Sequence, residues 1–366
     1  MAIFRLYPEK DTFLSSNITA SNAGLDEIVE IASFPQKTIE GKASRILTQY
    51  KLTEIQDVLN NRVSGGFSAS LNYKLAEASE LFESYSLEVY PIAQSWENGV
   101  GKHNDNPVDL SGCSWRYRTK NKGNQWNLST PPVGATGSYS GSVAGGGAWY
   151  TGSGTYDFES TQQFPLYADL DINIDVTEGI TAIHSGAISN NGFILKFPDN
   201  LEFETTSSTS LKYFSRDTNT IYEPYLQIGW SDFSYDQGDL SLLTTDVATI
   251  KIKNNKGEYK YETEQRFRIS ARPKYPTRTF TTGSIYNTNN VLPSGSFYAI
   301  EDEFTGEKII DFDSTHTKIS CDSNGSYFDL YMNSLQPGRY YKVLISSSLD
   351  GSEVIVDNDN IFKVIK

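Results

Sequence analysis

The clearest pattern in the chain is a strict alternation of apolar and polar residues over positions 169–176, which read DLDINIDV. Side chains on a β-strand point alternately to the two faces of its sheet, so the apolar residues of this segment share one face. That face needs an apolar cover. The segment therefore predicts a strand with one buried and one solvated side.

Further segments have the β-branched and aromatic content that is typical of strands. They are residues 85–90 (YSLEVY), 192–197 (GFILKF), 249–253 (TIKIK), 266–270 (RFRIS) and 340–345 (YYKVLI). Clusters of Gly, Ser, Thr, Asn and Asp separate them and indicate turns. Residues 52–59 have apolar positions at helical spacing, so we predict one or two turns of helix there. The pattern as a whole predicts an all-β chain.

The strand pattern breaks after Trp230, where residues 235–239 (YDQGD) form a polar turn cluster. We place the main domain boundary there, with one β domain over residues 1–235 and one or two further β modules over residues 236–366. A weaker break near residues 276–292 is where the second part would split. A length of 366 residues also favours more than one domain, since most domains contain about 100–200 residues.

The chain is acidic, with 45 Asp and Glu against 31 Lys and Arg and a net charge of -14. Nucleic acid and anionic membranes would repel this charge, so we expect neither as a partner. No segment reaches the roughly 20 consecutive apolar residues of a membrane helix, and residues 1–10 lack the apolar run of a secretion signal. Cys113 and Cys321 lie far apart in sequence, and we expect both to be free thiols.

The sequence offers little catalytic chemistry. It contains no nucleophile elbow, phosphate-binding loop or paired zinc-ligand motif, so we expect no enzyme and no bound cofactor. Glycoside hydrolysis needs only two carboxylates, and Asp169 and Asp171 would lie about 7 Å apart along one strand. We favour a solvated strand face as the explanation of these acids. Residues 104–106 with Asp109, and residues 357–360 (DNDN), are candidate calcium ligands, although neither has the spacing of a twelve-residue calcium loop.

The aromatic residues are the remaining candidates for a binding site. Trp96 and Trp115 fall in or beside predicted strands, and we expect them in the interior. Residues 130–155 are rich in Gly and Ser and predict a long irregular loop. Trp126 and Trp149, which lie in predicted loops, are the candidates for exposed contact and, with Tyr150, for contact with a glycan or a protein partner, because a flat aromatic face suits a sugar ring. Trp149 and Tyr150 also need a surface to pack against. Packing in the core is the alternative.

A series of segments resembles, in sequence order, the landmarks of the DNRLRE family of β-sandwich domains. They are residues 4–16 (FRLYPEKDTFLSS), 22–24 (NAG), 43–47 (ASRIL), 87–96 (LEVYPIAQSW), 114–117 (SWRY), 145–150 (GGGAWY), 171–176 (DINIDV), 191–196 (NGFILK) and 225–230 (YLQIGW). The resemblance covers about residues 1–235. The C-terminal residues 334–344 (SLQPGRYYKVL) are similar to the turn and core strand of Ig-like modules.

This resemblance implies a jelly-roll-like sandwich that occurs in bacterial surface proteins and in structural proteins of tailed phages, and it implies no reaction. Because no secretion signal is apparent, we expect a virion subunit assembled in the host cytoplasm, in the neck, the tail or a capsid decoration. Its partners would be other virion proteins and copies of itself in a homo-oligomer. The alternative is a carbohydrate-binding adhesion module on a virion or cell surface.

Overall fold

The computed structural model describes residues 2–35, 42–103, 105–109, 111–126, 134–138, 145–152, 155–165, 167–203, 208–253, 255–276 and 289–366. Strands dominate these residues, and the predicted all-β sandwich class is confirmed. The α-helices in this part of the chain are α1 (Leu52–Asn61), α2 (Thr177–His184) and α3 (Asp199–Glu202), and a short 3₁₀ helix spans Met332–Ser334. None of them is long enough to cross a bilayer.

The strands in the first part of the chain are β1 (Ala2–Leu6), β2 (Lys10–Ser15), β3 (Ile28–Phe34), β4 (Lys42–Gln49), β5 (Phe67–Tyr73), β6 (Leu75–Ser79), β7 (Tyr85–Pro91), β8 (Tyr117–Thr119), β9 (Asn124–Gln125), β10 (Ala135–Ser138), β11 (Gly145–Tyr150), β12 (Ser160–Phe164), β13 (Ile172–Asp175), β14 (Phe193–Lys196), β15 (Thr209–Phe214) and β16 (Tyr225–Trp230). The remaining strands are β17 (Ala248–Lys253), β18 (Glu258–Lys260), β19 (Glu264–Pro273), β20 (Phe297–Asp302), β21 (Lys308–Ile310), β22 (Ser320–Asp322), β23 (Gly325–Tyr331), β24 (Tyr340–Leu349) and β25 (Ser352–Ile365).

The chain forms two compact units. The C-terminal unit contains Met1–Arg5, Val63–Phe67 and Ile228–Lys366, and the N-terminal unit contains Leu6–Arg62 and Ser68–Gln227. The domain boundary at residue 235 stays a prediction. Most of the predicted split near 276–292 lies outside the described residues, which stop at 276 and resume at 289.

The C-terminal unit is a sandwich of two sheets, one in the strand order β17-β19-β23-β22 and the other in the order β18-β25-β24-β20-β21. Their inner faces share one apolar core, in which the rings of Tyr298 and Phe328 stack at 4.2 Å and those of Phe267 and Phe362 lie 5.6 Å apart. A row of large aromatic residues holds the sheets together, since each ring buries much apolar area.

The N-terminal unit is built on one large sheet in the order β12-β7-β14-β4-β3-β15-β6, with β2 also paired to β4. Antiparallel registers place Ile194 beside both Leu47 and Tyr90, so these three side chains share one face. Those apolar residues and the tryptophans at 96, 115, 126 and 149 belong to one buried cluster on this face. The cluster is therefore the core in which the candidate aromatic residues must be placed.

Helix α1 confirms the helical pattern at residues 52–59 and runs for 10 residues, longer than the one or two turns predicted. It buries Ile55, Val58 and Leu59, as the apolar spacing requires. The alternation at 169–176 is confirmed by β13, in which Ile172 and Ile174 are buried while Asn173 and Asp175 are exposed.

Residues 130–155 differ from the prediction of one long irregular loop. The described part contains β10 and β11, which pair antiparallel with Thr136 opposite Trp149 and a register irregularity next to Gly137. The three glycines that suggested a loop instead begin strand β11 with positive φ angles. The glycine content of this segment predicted a turn-rich loop. In the structure, these glycines instead allow the β11 backbone to pack closely against neighbouring residues.

Candidate functional site

The structure buries the two tryptophans that were predicted to be exposed. Trp126 and Trp149 are each only 4% exposed, and Tyr150 is half-buried beside Phe158. The Trp126 indole N–H donates a hydrogen bond to the Ser114 carbonyl at 3.0 Å. The expectation of exposure was wrong: Trp149 lies on β11, which is a strand of the core and not a surface loop, and Trp126 packs into the same buried cluster. That these residues contact a glycan or a partner stays a prediction.

A buried arginine lies at the centre of the aromatic cluster. Arg45 on β4 is 1% exposed, and its guanidinium lies 4.8 Å from the ring centre of Trp115 and 5.0 Å from that of Trp149. Its Nε and Nη2 donate to the two carboxylate oxygens of Glu202, at 2.5 and 2.7 Å, while Nη1 donates to the Gly146 carbonyl at 2.7 Å. The guanidinium is thus bound by a carboxylate fork and stacked by aromatic rings.

A second buried cation lies on the neighbouring strand. Lys196 on β14 is 1% exposed, and the register of β14 with β4 places it opposite position 45. Its ammonium contacts Glu88 at 3.1 Å, Asp199 at 2.9 Å and Glu202 at 3.9 Å. Two adjacent cations would repel each other in an apolar core, and the fully buried Glu202 between them offsets that repulsion. We call Arg45, Lys196, Glu88 and Glu202 the buried charge cluster.

Glycine is required where β11 lies over the buried charge cluster. A Cβ atom added at Gly146, whose φ is +73°, would lie 2.7 Å from the Trp115 ring and 2.8 Å from the Arg45 guanidinium. A Cβ at Gly145 would lie 2.5 Å from the Trp115 carbonyl oxygen. Only the absence of side chains lets this backbone reach the guanidinium and accept its hydrogen bond.

The buried charge cluster and the groups that contact Arg45 come from five of the segments that carry the sequence resemblance. Arg45, Glu88 and Lys196 come from ASRIL, LEVYPIAQSW and NGFILK. The contacts of Arg45 are Trp115 from SWRY and Gly146 and Trp149 from GGGAWY. Sequence reasoning did not single out Arg45, Lys196 or Glu202. The available signal was a cation at an inward-facing position of two otherwise apolar strands, since such charges are rarely buried without partners.

The carboxylates considered for hydrolysis are held in structural contacts. Asp171 accepts hydrogen bonds from the Lys74 ammonium at 2.7 Å and from the Leu75 backbone N–H at 2.9 Å. Asp169 accepts a hydrogen bond from the Asp171 backbone N–H at 3.1 Å. These contacts position Asp171 as the partner of a lysine at the end of β5, and they leave Asp169 in a local turn.

The candidate calcium ligands are likewise occupied by protein donors. Asp105 accepts from the Lys102 backbone N–H, and Asp109 accepts from the N–H and hydroxyl of Ser111. Asp357 is paired with Lys342 at 2.9 Å. Asn104 lies outside the described residues, and within those residues no group of three His, Cys, Asp or Glu side chains is arranged to hold a metal ion. Cys113 and Cys321 are free thiols, as predicted.

Two acids in the N-terminal unit have strongly altered proton affinities. Burial raises the pKa of Asp11 to about 7, although the hydrogen bond from the Arg216 backbone N–H at 2.8 Å opposes this shift. Burial also raises the pKa of Glu223 to about 7, against the attraction of Arg216. Glu223 further raises the pKa of Asp11 by like-charge repulsion, and both acids raise the pKa of Tyr50 in the same way. This pair makes the N-terminal unit sensitive to pH near neutrality.

An exposed patch of positive charge covers one end of the outer sheet face in the C-terminal unit. Cross-strand register places Lys253 beside Arg268 and Arg268 beside Tyr327, and the alternation of side chains adds Lys251, Arg266 and Arg272. We call these five cations, with Tyr327, the basic face. Glu264, Asp322 and Asp329 are the acids on the same side of these strands.

The centre of the basic face is a rigid stack. The guanidinium carbons of Arg266 and Arg268 lie 4.1 and 4.8 Å from the ring centre of Tyr327. Each arginine is also held by a two-point ion pair, Arg266 with Asp329 at 2.7 and 2.8 Å and Arg268 with Asp322 at 2.6 and 2.8 Å. These contacts fix planar groups at the surface before any partner arrives, which lowers the entropy lost on binding.

No protein-family model matches the chain, and no curated protein sequence matches it. The resemblance to the DNRLRE domains therefore stays a prediction. Among solved structures, the chain is similar to a DUF4785 family protein from Legionella pneumophila at 10% identity and a TM-score of 0.18, over 98% of this chain and 66% of that one.

The chain is also similar to the tripod from the baseplate of bacteriophage Tuc2009, at 10% identity and a TM-score of 0.17, over 98% of this chain and 91% of that one. TM-scores of this size do not establish a shared fold. The chain spans slightly less than two thirds of the Legionella protein.

Proposed function

We propose that this chain is a non-enzymatic structural subunit of a tailed phage particle, in the neck, the tail or a capsid decoration, and that it acts through multivalent protein-protein contacts. The observation that carries this proposal is the basic face, an ordered arginine and tyrosine surface on a β-sandwich. Arginine and tyrosine are enriched in protein interfaces, where they supply contact area and hydrogen bonds at low entropy cost.

The buried charge cluster supports the same function. It joins β4 to β11 through the Arg45 guanidinium, which two rings and a carboxylate hold in place, and it reaches β14 through Lys196, which lies 3.9 Å from the same Glu202 carboxylate. Such a core resists rearrangement, because breaking it would leave a charge unpaired in the interior. A particle subunit gains from a rigid scaffold, since many weak contacts add up only when every copy presents the same surface.

Glycan adhesion was the alternative, and it relied on exposed faces of Trp126 and Trp149. Both indoles lie in the core, and their removal would leave cavities. The described residues thus offer no reason to prefer adhesion over subunit contact.

The proposal is tested on particles purified by density gradient from a culture that produces the phage. We expect mass spectrometry to find the chain at a constant ratio to the major capsid protein, and immunogold labelling to place it at one fixed position. A chain that stays in the soluble fraction while complete particles lack it would refute the proposal.

A further inference from the structure

The basic face is open to solvent at one end of its sheet. Lys251 and Lys253 are exposed, and no ion pair is found for either in the described part of the chain. At the opposite end, the same side of the sheet is covered, because Phe4 and Trp230 each pack 5.6 Å from the ring centre of Tyr331. The uncovered cations therefore form a compact surface rather than a continuous belt.

The two units differ strongly in charge. The C-terminal unit has 16 Lys and Arg against 19 Asp and Glu, a net charge of -3, whereas the N-terminal unit has 15 against 26, a net charge of -11. Most of the negative charge of the chain thus lies in the unit that does not contain the basic face. A second copy of the chain offers the basic face a complementary surface.

The N-terminal unit has a suitable group of acids that precede β12, flank or end β13, or lie in the first turn of α2. Its members are exposed and have no ion pair in the described structure; we call them the acidic strip, and they are Asp157, Glu159, Asp169, Asp175 and Glu178. Hydrogen bonds keep them together, since Glu178 accepts from the Asp157 N–H at 2.8 Å and Gln162 bridges the two strands.

The basic face extends along β19, where Arg266 and Arg272 are six residues apart, or about 20 Å at ~3.3 Å per residue. The acidic strip also extends over several residues, from Asp169 before β13 to Asp175 on it and Glu178 in α2. We propose that the basic face of one copy docks on the acidic strip of a second copy in a head-to-tail contact. This inference rests on the proposed function and names one of its partners.

The test is sedimentation velocity of the full chain at about 0.01 M ionic strength, where the Debye length is about 30 Å, and again at about 0.15 M. We expect the mean mass of the wild type to rise with concentration at low salt and to fall on adding salt. Two variants each neutralise one surface, a face variant (Lys251→Gln with Lys253→Gln) and a strip variant (Glu159→Gln with Asp169→Asn).

Each variant alone is expected to stay monomeric. A mixture is expected to form 1:1 complexes that do not grow, because an intact basic face then meets an intact acidic strip only once. The matched control is Lys256→Gln with Lys260→Gln, which changes the net charge of the same unit equally at exposed positions outside the basic face. It should associate like the wild type, and circular dichroism confirms that every variant is folded.

The inference is overturned by a wild type that stays monomeric at low salt, by a face variant that associates normally, or by a mixture that stays monomeric. These failures are distinct from failure of the proposed function. A chain found in purified particles without self-association refutes only this contact, whereas absence from particles refutes the function whatever the sedimentation shows.

Discussion

Arg45 shows how a single residue can organise a β-sandwich core. An arginine is costly to bury because its charge must leave water, and here Glu202, a backbone carbonyl and two aromatic rings compensate for that cost. Hydrophobic residues of similar volume in place of both Arg45 and Glu202 would form a core of similar stability, but they would not bind the Gly146 carbonyl of β11. The charge therefore specifies which backbone carbonyl lies above it.

Arg45→Met is expected to lower the free energy of unfolding by about 3–5 kcal/mol, because it leaves Glu202 buried without its fork partner. Urea denaturation measures the change. Adding Glu202→Leu should recover much of the loss. The control Lys51→Met removes an exposed pair with Glu54 and should cost about 0–1 kcal/mol. Equal effects at both sites would contradict the assignment of Arg45.

Gly146→Ala is expected to destabilise the protein by about 2–4 kcal/mol, from a backbone angle unsuited to alanine and from overlap with Trp115 and Arg45. Gly123→Ala is a matched control, since its φ of +67° is similar but nothing lies within 4 Å of the added Cβ. The difference between the two melting curves isolates the steric contribution. Identical curves would show that β11 does not pack closely on the guanidinium.

The raised pKa of Asp11 predicts that the stability of the protein depends on pH, and it fixes the direction of that dependence. Its pKa is about 7 in the folded chain and about 3.9 when unfolded. Between these values the unfolded state has lost the proton while the folded state keeps it, so stability falls as pH rises from about 4 to 7 and levels off above. Asp11→Asn removes this contribution and should stabilise the protein at pH 8, by at most about 4 kcal/mol.

Asp11→Asn should have nearly the same free energy of unfolding as the wild type near pH 4. There the folded chain keeps the Asp11 proton and the unfolded chain has only begun to lose it. The measurement is urea denaturation across pH 4–8, with the difference between variant and wild type as the readout. Taking that difference cancels the contributions of other titrating groups to the free energy of unfolding. A constant difference across this range would show that Asp11 is ionised in the folded state.

At the scale of elements, β11 decides the architecture around the candidate aromatic residues. Three consecutive glycines are usually interpreted as a flexible loop, yet here they let a strand approach the sheet face closely enough for Trp149 to enter the core. The basic face shows the opposite case. Alternation along β19 places Phe267 and Ile269 inside and Arg266 and Arg268 outside, as expected for a strand of a two-layer sandwich.

Trp149→Ala is expected to cost about 3–5 kcal/mol, since it opens a cavity beside Tyr90 and Arg45. Tyr167→Ala, at a position that is 96% exposed, should change stability little. Thermal unfolding measures both. If Trp149→Ala kept full stability and abolished binding to a glycan array, the adhesion alternative would be favoured.

At the scale of the whole molecule, charge is distributed unequally between two units, and this asymmetry determines how copies can meet. A basic face and an acidic strip on the same chain make a heterologous contact, which forms rings when the rotation closes and open chains when it does not. Association between exposed charges is weak and sensitive to salt.

Much of the fold was predictable because alternation is a local property. The predicted strand segments all contain strands, and the predicted helical segment at 52–59 lies within α1; the strand segments are 85–90, 169–176, 192–197, 249–253, 266–270 and 340–345. These predictions succeed because side-chain periodicity follows directly from backbone geometry. Free thiols at Cys113 and Cys321 were predictable from their separation. The acidic charge, and with it the nature of a complementary partner, is likewise a property of composition.

Tertiary structure alone decided which residues of distant segments meet. Arg45 and Glu202 are 157 positions apart in the sequence. Trp149 is buried only because the backbone at Gly146 approaches the Arg45 guanidinium closely. Asp11 titrates near neutrality because burial, and no local motif, removes its water. Lys251, Arg268 and Tyr327 become one surface only through the pairing of three strands. Local pattern determines which side of an element a residue occupies, whereas contacts across long separations depend on how the sheets pack.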